Sequence, residues 1–188
     1  GDAPPPPLDN LPLPVPAMGI KTISIGMMKP NKDDVIAWRG PILDRALTQL
    51  LADVHWGDLD YLLLDLPPGT GDIAMSLGQK VPTAEVLVVT TPQQAASEVA
   101  ERAGTMAALM NQKIIGVVEN MSWLAFTAPD TGKEYRIDLF GSGGGQEAAD
   151  ALSKRLGTEV PLLAQVPMDI ELRKGGDEGD PIVTAHPE

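Results

Sequence analysis

The sequence predicts an α/β fold in which a mostly parallel sheet is flanked by helices. Apolar segments of strand length alternate along the chain with longer segments whose apolar residues recur at helical spacing. The strand segments are apolar almost throughout, which is typical of parallel strands covered on both faces. With 188 residues the chain is long enough for one such domain, or for one domain and a tail.

The first 19 residues form a proline-rich segment that precedes the regular pattern. Prolines at positions 4–7, 12, 14 and 16 favour polyproline II and leave few amide donors for a sheet. A linker or extended surface segment fits this composition better than a ligand for a proline-recognition domain. Because the chain starts with Gly1 and not Met, we expect further sequence upstream.

From residue 20 onward, strands and helices alternate. Residues 20–26 alternate as a strand does, Pro41 opens a helix at its first position, and Asp72 is a plausible N-cap for a short helix. We predict strands at 20–26, 61–65, 85–91, 113–119 and 160–166, and helices starting at Pro41 and over 72–77, 93–110 and 146–156, the last with Gly157 at its C′ position.

Residues 123–140 interrupt this alternation. A turn-forming stretch from Phe126 to Lys133 leads into the alternating segment 135–137, which predicts a small hairpin insertion. Right-handed crossovers place the carboxyl ends of all parallel strands at one edge of the sheet. Any site should therefore be built from the loops that follow the strands, at 66–72, 92–93, 120–121 and 167–169.

Composition and charge exclude several classes of function. A net charge of −12 argues against nucleic-acid and anionic-membrane partners, which need clustered Lys and Arg. The absence of cysteine excludes disulfides and thiolate metal sites, and His55 and His186 lack a second ligand at zinc-binding spacing. No apolar run reaches the length of a membrane span, and the acidic tail from Arg173 is unlike a membrane-targeting helix. We expect a soluble, cytoplasmic protein.

The segment Leu62 to Asp72 carries the clearest chemical signal. Asp65 follows a short apolar strand, which is a Walker B arrangement able to hold Mg²⁺ where phosphates arrive. The glycines of the following Pro-Pro-Gly-Thr-Gly loop allow a phosphate to approach closely. An ordinary turn with an exposed aspartate explains the same residues about equally well.

Ordered matches along most of the chain resolve that ambiguity. From about residue 19 the sequence resembles the Mrp/ApbC branch of the MinD/ParA-like ATPases. The segments that carry the resemblance are 38–41, 56–61, 65–72, 88–93, 116–122, 140–145 and 165–169. The resemblance implies a P-loop NTPase-like, three-layer αβα domain over residues 20–188, with the hairpin 123–140 as an insertion.

The resemblance also implies roles for individual residues. Asp65 would be the Walker B acid and magnesium ligand, and Gly69, Thr70 and Gly71 would sense the γ-phosphate. Asn120 would read the adenine edge by donating and accepting hydrogen bonds together, although a capped strand end explains Asn120 without a ligand. The loop of Pro167, Met168 and Asp169 would close over the base. ATP and Mg²⁺ are the cofactors expected.

Two departures from the family pattern qualify this expectation. No G-x-x-x-x-G-K-[ST] motif is present, and the pair Gly132-Lys133 continues into Glu134. The first P-loop βαβ portion is therefore expected upstream, and this chain alone should not hydrolyse ATP. Gly141 to Gly145 is not a phosphate loop of that type, so a flexible helix entry is the better interpretation. Arg39 fits a phosphate or dimer contact and an exposed salt bridge equally well.

The second departure concerns iron–sulfur clusters. Many relatives carry a C-x-x-C pair in the hairpin, where this chain has Ala128 and Thr131, so a cluster would need ligands from elsewhere. We expect the nucleotide-domain portion of an ATP-binding protein in iron–sulfur cluster assembly or transfer, with apoproteins or assembly factors as partners. Sheet edges left without neighbours favour a homodimer. The alternatives are a non-enzymatic interaction module and a MinD/ParA-like positioning ATPase.

Overall fold

The computed structural model describes residues 7–8, 11–28, 40–66 and 71–185. The chain forms two compact units, Gly1–Val81 and Pro82–Glu188, and each is treated by itself. The predicted α/β class is confirmed, with a mixed sheet flanked by helices.

Short antiparallel ladders open the first unit. Strands β1 (Pro7–Leu8) and β2 (Leu11–Pro12) pair, and so do β3 (Val15–Ala17) and β4 (Ile20–Thr22). Met18 and Gly19, with φ of 49° and 78°, form the tight turn between β3 and β4. The strand predicted over 20–26 therefore ends at residue 22, and a 3₁₀ turn over Ile25–Met28 follows.

Two helices supply the core of the first unit. Helix α1 (Gly40–Thr48) continues into a π-helical turn over Gln49–Asp53, and helix α2 covers Gly71–Lys80. The apolar stripe predicted after Pro41 is confirmed where it packs against α2. The core residues are Leu43, Leu47, Ile73 and Leu77, with Ile25 and Val81 against them.

An ion pair on the surface also joins α1 to α2. Lys80 Nζ lies 3.2 Å from Asp44 Oδ1, and the Ser76 hydroxyl donates to the same carboxylate. The hydrogen bonds from Ser76 and Lys80 hold the pKa of the Asp44 carboxyl below its ordinary value.

The strand predicted over Tyr61 to Asp65 is not formed. Residues 61–66 have no regular structure and are exposed, Tyr61 by 86% and Leu63 by 91%. An apolar run becomes a buried strand only where neighbouring strands accept its hydrogen bonds, and no strand among the described residues pairs with this run.

The second unit contains the four-stranded sheet. Its elements are β5 (Val86–Thr90), α3 (Gln94–Leu109), β6 (Ile114–Thr127), β7 (Glu134–Ile137), α4 (Gly144–Leu156), β8 (Leu162–Met168), α5 (Ile170–Glu178) and α6 (Ile182–Ala185). The predicted strands and helices of this region are confirmed with shifted ends. Gly157 ends α4 in the left-handed conformation, with φ of 68°, as expected.

Strand β6 is the centre of this sheet. It pairs in parallel with β5 on one side and β8 on the other, and its last residues pair antiparallel with β7. The predicted hairpin is confirmed as the β6–β7 pair, in which the rings of Phe126 and Tyr135 stack with centroids 5.3 Å apart. The prediction for 113–119 was too short, because β6 continues through Thr127.

Helices α3 and α4 share one core with the sheet. That core contains Val88, Ala100, Ala107, Ile114, Val117, Ala148, Ala149, Leu152 and Val160. The opposite side of β5 is open, with Leu87 exposed by 46% and Val89 by 60%. The expectation that β5 is covered on both faces is therefore wrong for the described residues. Within the described ranges, no helix is long and apolar enough to cross a membrane.

Candidate functional site

The carboxyl-terminal part of the β6–β8 ladder brings together the residues predicted to bind a base. Asn120 on β6 is in register with Val166 on β8, and Leu124 is in register with Met168. Asn120 therefore lies opposite Val166, the residue that precedes Pro167 and Met168 in β8, as the position of strand ends at one sheet edge predicts. Pro167 and Met168 form the end of β8, so the prediction that they lie in a loop is wrong for those two residues.

A local irregularity in β6 shapes this region. The pairing between β6 and β8 shifts register between Asn120 and Leu124, and Met121 adopts a positive φ of 57°. The buried hydroxyl of Ser122 donates to the carbonyl oxygen of Glu119, at 2.9 Å, and closes the irregular turn. Such bulges re-aim side chains at sheet edges. Here the bulge begins directly after Asn120.

The amide of Asn120 has a defined orientation. Met121 N–H donates to Asn120 Oδ1 at 2.9 Å, which identifies the oxygen because a donor must meet an acceptor. Asn120 Nδ2 makes no hydrogen bond to another residue in the described part of the chain. The half-buried side chain therefore offers two N–H donors and the second lone pair of its oxygen. The oxygen caps the amide of the next residue within the bulge, and the side chain retains the groups needed to read a base.

Asp169 follows β8 directly and has a structural partner. Its carboxylate accepts from Glu171 N–H at 2.6 Å, so it is the N-cap of α5. The capping bond ties the end of β8 to the helix that follows. It leaves the backbone around Met168 and Asp169 as the part of this segment suited to contact a base.

Sequence reasoning missed the buried carboxylate next to Asn120. Glu119 is only 1% exposed, and both of its carboxylate oxygens are bonded. Gly145 N–H donates to Oε2 at 2.6 Å, and Gln165 Nε2 donates to Oε1 at 2.8 Å. The available signal was an acid that follows five consecutive apolar or glycine residues of a strand.

The glycine-rich segment before α4 is a close-packed helix entry. Gly141 and Gly143 have φ of 83° and 90°, which favours glycine. A Cβ on Gly144 would lie 2.4 Å from the carbonyl oxygen of Pro92, and one on Gly145 would lie 2.7 Å from Glu119 Cβ. The Gly145 amide, in the first turn of α4, already donates to the Glu119 carboxylate. This geometry supports the helix-entry interpretation of Gly141 to Gly145.

The residues predicted to act on phosphates belong to the first unit. Asp65 is exposed on the irregular segment 61–66, and Gly71 is the first residue of α2. Gly69 and Thr70, like Arg39, lie outside the described residues. Among the residues described, no group of three or more His, Asp or Glu side chains is placed to hold a metal ion. The roles of Asp65 and of the residues 69–71 stay predictions.

Comparisons with known proteins agree on one family. The family model described as ParA, NUBPL iron-transfer P-loop NTPase, matches residues 6–188. An iron–sulfur cluster carrier protein of Mycobacterium leprae is 56% identical over 176 residues, covering 94% of this chain and 44% of the relative. An iron–sulfur cluster carrier protein of Mycobacterium tuberculosis H37Rv is 53% identical over 96% of this chain and 46% of the relative. The chain thus spans about half the length of the curated relatives it matches.

A solved structure shows the same architecture. A nucleotide-binding protein from Archaeoglobus fulgidus, in complex with ADP, superposes with a TM-score of 0.67 at 32% sequence identity. The match covers 92% of this chain and 63% of that protein. The P-loop NTPase-like class expected from the sequence is therefore confirmed.

Proposed function

The chain belongs to the NUBPL iron-transfer P-loop NTPase family, and we propose that it supplies the base-binding part of an ATP-binding protein that assembles or transfers iron–sulfur clusters. The proposal is supported by relatives that are iron–sulfur cluster carrier proteins and by a structural neighbour that holds ADP. The whole protein would deliver clusters to apoproteins or assembly factors, in the cytoplasm.

The placement of Asn120 beside the end of β8 carries this proposal. An adenine edge offers a ring-nitrogen acceptor next to an amino donor. Asn120 Nδ2 can donate to that nitrogen while Oδ1 accepts from the amino group with the lone pair that Met121 N–H leaves. Pro167 and Met168 supply half-buried apolar surface against which a base can lie. The residues of the second unit fit a bound adenine.

The chain offers fewer groups for binding the nucleotide phosphates than for binding the base. Its sequence has no G-x-x-x-x-G-K-[ST] motif, and the start of α4 is filled by Glu119. We place the phosphate loop and its first βαβ portion outside this chain, which is then inactive in hydrolysis when alone. Asp65 would ligate Mg²⁺, and Gly69, Thr70 and Gly71 would contact the γ-phosphate in the whole protein. Mg²⁺ neutralises phosphate charge when it is bound.

Iron–sulfur clusters are the proposed cargo of the whole protein. Ala128 and Thr131, the positions that match the cysteine pair, lie in the turn of the β6–β7 hairpin, where Gly132 N–H donates to Ala128 O at 2.8 Å. Neither side chain binds iron, so the ligands must come from other polypeptide. A homodimer is proposed on the open side of β5, where Leu87 and Val89 are exposed.

Titration of Mg-ATP and Mg-GTP into this chain tests the proposal. Without phosphate contacts we expect adenine binding with a Kd on the order of 1 mM, measured by amide chemical shifts. The Asn120→Ala variant should bind at least about tenfold more weakly, since it loses both base contacts. The control, Asn111→Gly, removes an equivalent amide after α3, at a positive φ of 54° that glycine accepts.

A non-enzymatic interaction module is the alternative that one observation favours, namely the missing phosphate-loop motif. It predicts no shift changes on titration with either nucleotide. It also predicts that the chain, joined to the upstream half of a cluster carrier, does not restore ATP hydrolysis. Shifts confined to β6, β8 and the start of α5 would contradict it.

A further inference from the structure

The buried carboxylate of Glu119 joins three elements at the candidate base site. Glu119 lies on β6, its Oε2 accepts from the first turn of α4, and its Oε1 accepts from Gln165 on β8. Its own carbonyl oxygen accepts from Ser122. The side chain of Glu119 therefore holds this position of β6 to α4 and β8, and its backbone carbonyl holds the irregular turn that follows. Asn120 is the next residue in that turn.

The close approach of Gly145 and the dipole of α4 favour the observed position of the Glu119 carboxylate. Gly145 is buried and too close for any side chain, since an added Cβ would meet Glu119 Cβ at 2.7 Å and Oε2 at 2.8 Å. The positive end of the α4 dipole favours an anion at this point. No side-chain polar atom that is buried in the described part of the chain lacks a hydrogen-bond partner. The Glu119 carboxylate is therefore the anion bound at the N-terminus of α4, and the protein itself supplies it.

Strand geometry connects this buried group to Asn120. Successive side chains of a strand lie on opposite faces, so Glu119 is buried beneath the position from which the half-buried Asn120 leaves the sheet. The turn after Asn120 includes the positive φ of Met121, which a residue other than glycine adopts only when its surroundings hold it there. The bonds of Glu119 provide such surroundings on the side of α4 and β8.

We propose that Glu119 is a positioning residue, whose carboxylate, held by Gly145 N–H and Gln165 Nε2, fixes the turn that presents Asn120 and thereby sets the preference for adenine over guanine. The inference rests on the proposed function, because Asn120 is the residue that reads the base there. Glu119 itself is too deeply buried to touch a nucleotide.

The conservative variant separates geometry from charge. In Glu119→Gln, the new Oε1 accepts from Gly145 N–H, and the new amide donates to Gln165 once the Gln165 amide rotates by half a turn. All hydrogen bonds are kept, so Glu119→Gln should keep the ATP-to-GTP affinity ratio. Glu119→Ala leaves Gly145 N–H and Gln165 without their partner, and the turn at Asn120 loses its support.

The test is the ratio of ATP to GTP affinity together with the NMR signals of the Asn120 side-chain amide and the Met121 backbone amide. In Glu119→Ala the ratio should fall to less than about twofold, well below the ratio of the wild-type chain. The Met121 amide should also lose its protection from hydrogen exchange. Gln165→Ala removes only one bond, at an exposed residue, and serves if Glu119→Ala does not fold. The ATP-to-GTP affinity ratio of Gln165→Ala should lie between those of the wild-type chain and Glu119→Ala.

Ser153→Ala is the control for stability alone. The Ser153 hydroxyl accepts from Val160 N–H at 2.9 Å, between α4 and the strand that follows, away from Asn120. Its loss should lower stability and leave the ratio and the Asn120 signals unchanged. If Glu119→Ala keeps both the ratio and the amide signals of the wild-type chain, the positioning role is refuted.

Failure of the proposed function has a different signature. If the wild-type chain shows no preference for ATP over GTP, the proposed adenine site is refuted. The amide signals still decide the role of Glu119, since they need no nucleotide. Signals altered in Glu119→Ala and restored in Glu119→Gln support positioning, and unaltered signals overturn it.

Discussion

Two helical glycines of the second unit should respond in opposite directions to the same substitution. Gly104 lies in α3, where an added Cβ would be 1.9 Å from Leu152 Cδ2 and 3.6 Å from Ile114 Cδ1. Gly176 lies in α5, where nothing would approach within 4 Å. Neither glycine has the positive φ that would itself penalise alanine. Comparing Gly104→Ala with Gly176→Ala therefore separates the cost of steric crowding from the gain in helix propensity.

The size of the Gly104→Ala effect follows from these distances. Non-bonded carbons settle at about 3.5–4.0 Å, so Leu152 Cδ2 would have to retreat by about 1.6 Å. Leu152 is fully buried among Val117 and two alanines of α4, and no free space receives it. An overlap of this size lies in the upper part of the overpacking range, at about 2–3 kcal/mol, and is partly offset by the ~1 kcal/mol that alanine gains over glycine in a helix. We expect a net loss of about 1–2 kcal/mol.

Urea unfolding followed by circular dichroism measures the effect. Gly104→Ala should lower the midpoint, and Gly176→Ala should raise it by the equivalent of about 0.5–1 kcal/mol. Leu152→Ala alone should cost about 2–5 kcal/mol, and the double variant should be more stable than additivity requires, because the methyl group added at position 104 then occupies the vacated space. A Gly104→Ala chain as stable as the wild type would refute the packing of α3 on α4 described above.

Two further predictions concern the ion pair of the first unit and the entry to α4. Because hydrogen bonds from Ser76 and Lys80 depress the pKa of Asp44, its stabilising contribution is present above the ordinary aspartate pKa and is lost as the pH falls through the depressed value. The Tm advantage of the wild type over Asp44→Asn should therefore vanish in acid; an advantage that persists there would contradict this origin. Gly145→Ala should weaken the preference for ATP over GTP as Glu119→Ala does, since the new methyl displaces the carboxylate. An unchanged affinity ratio in a folded Gly145→Ala chain would argue against that displacement.

Periodicity predicted the helices of both units well. The apolar stripe of α1 and the small-residue face of α3 specify which side is buried, and Leu43, Leu47, Ala100 and Ala107 are buried as the pattern requires. Capping signals were also informative, since Gly157 ends α4 where the sequence places it. These features depend on residues three or four positions apart, which a sequence displays directly.

Strand neighbours could not be predicted in the same way. The run 61–65 has the composition of a buried strand, yet burial depends on other strands, and Leu63 is almost fully exposed. The sequence suggested a loop at 120–121, whereas β6 continues through a bulge there and pairs with β7 from Leu124 to Thr127. Local pattern carries no information about such partners.

The candidate site was predicted in part for the same reason. The family resemblance identified Asn120 and the segment 167–169, which follow predicted strands, and the β6–β8 register pairs Asn120 with Val166, next to that segment. Glu119 was missed because its partners, Gly145 and Gln165, are 26 and 46 residues away in sequence. A buried acid is recognised by its partners, and only the fold reveals them.

The occupied start of α4 also bears on where a phosphate could bind. A helix N-terminus attracts one anion strongly, and at α4 that anion is the carboxylate of Glu119. Helix α2 begins at Gly71, within the segment that the sequence resemblance associates with the γ-phosphate. The helix that the sequence associates with phosphate is thus in the first unit, and the residues suited to a base are in the second. Because the two tasks use different helices, Glu119→Ala should change base preference while leaving phosphate affinity in the whole protein largely intact.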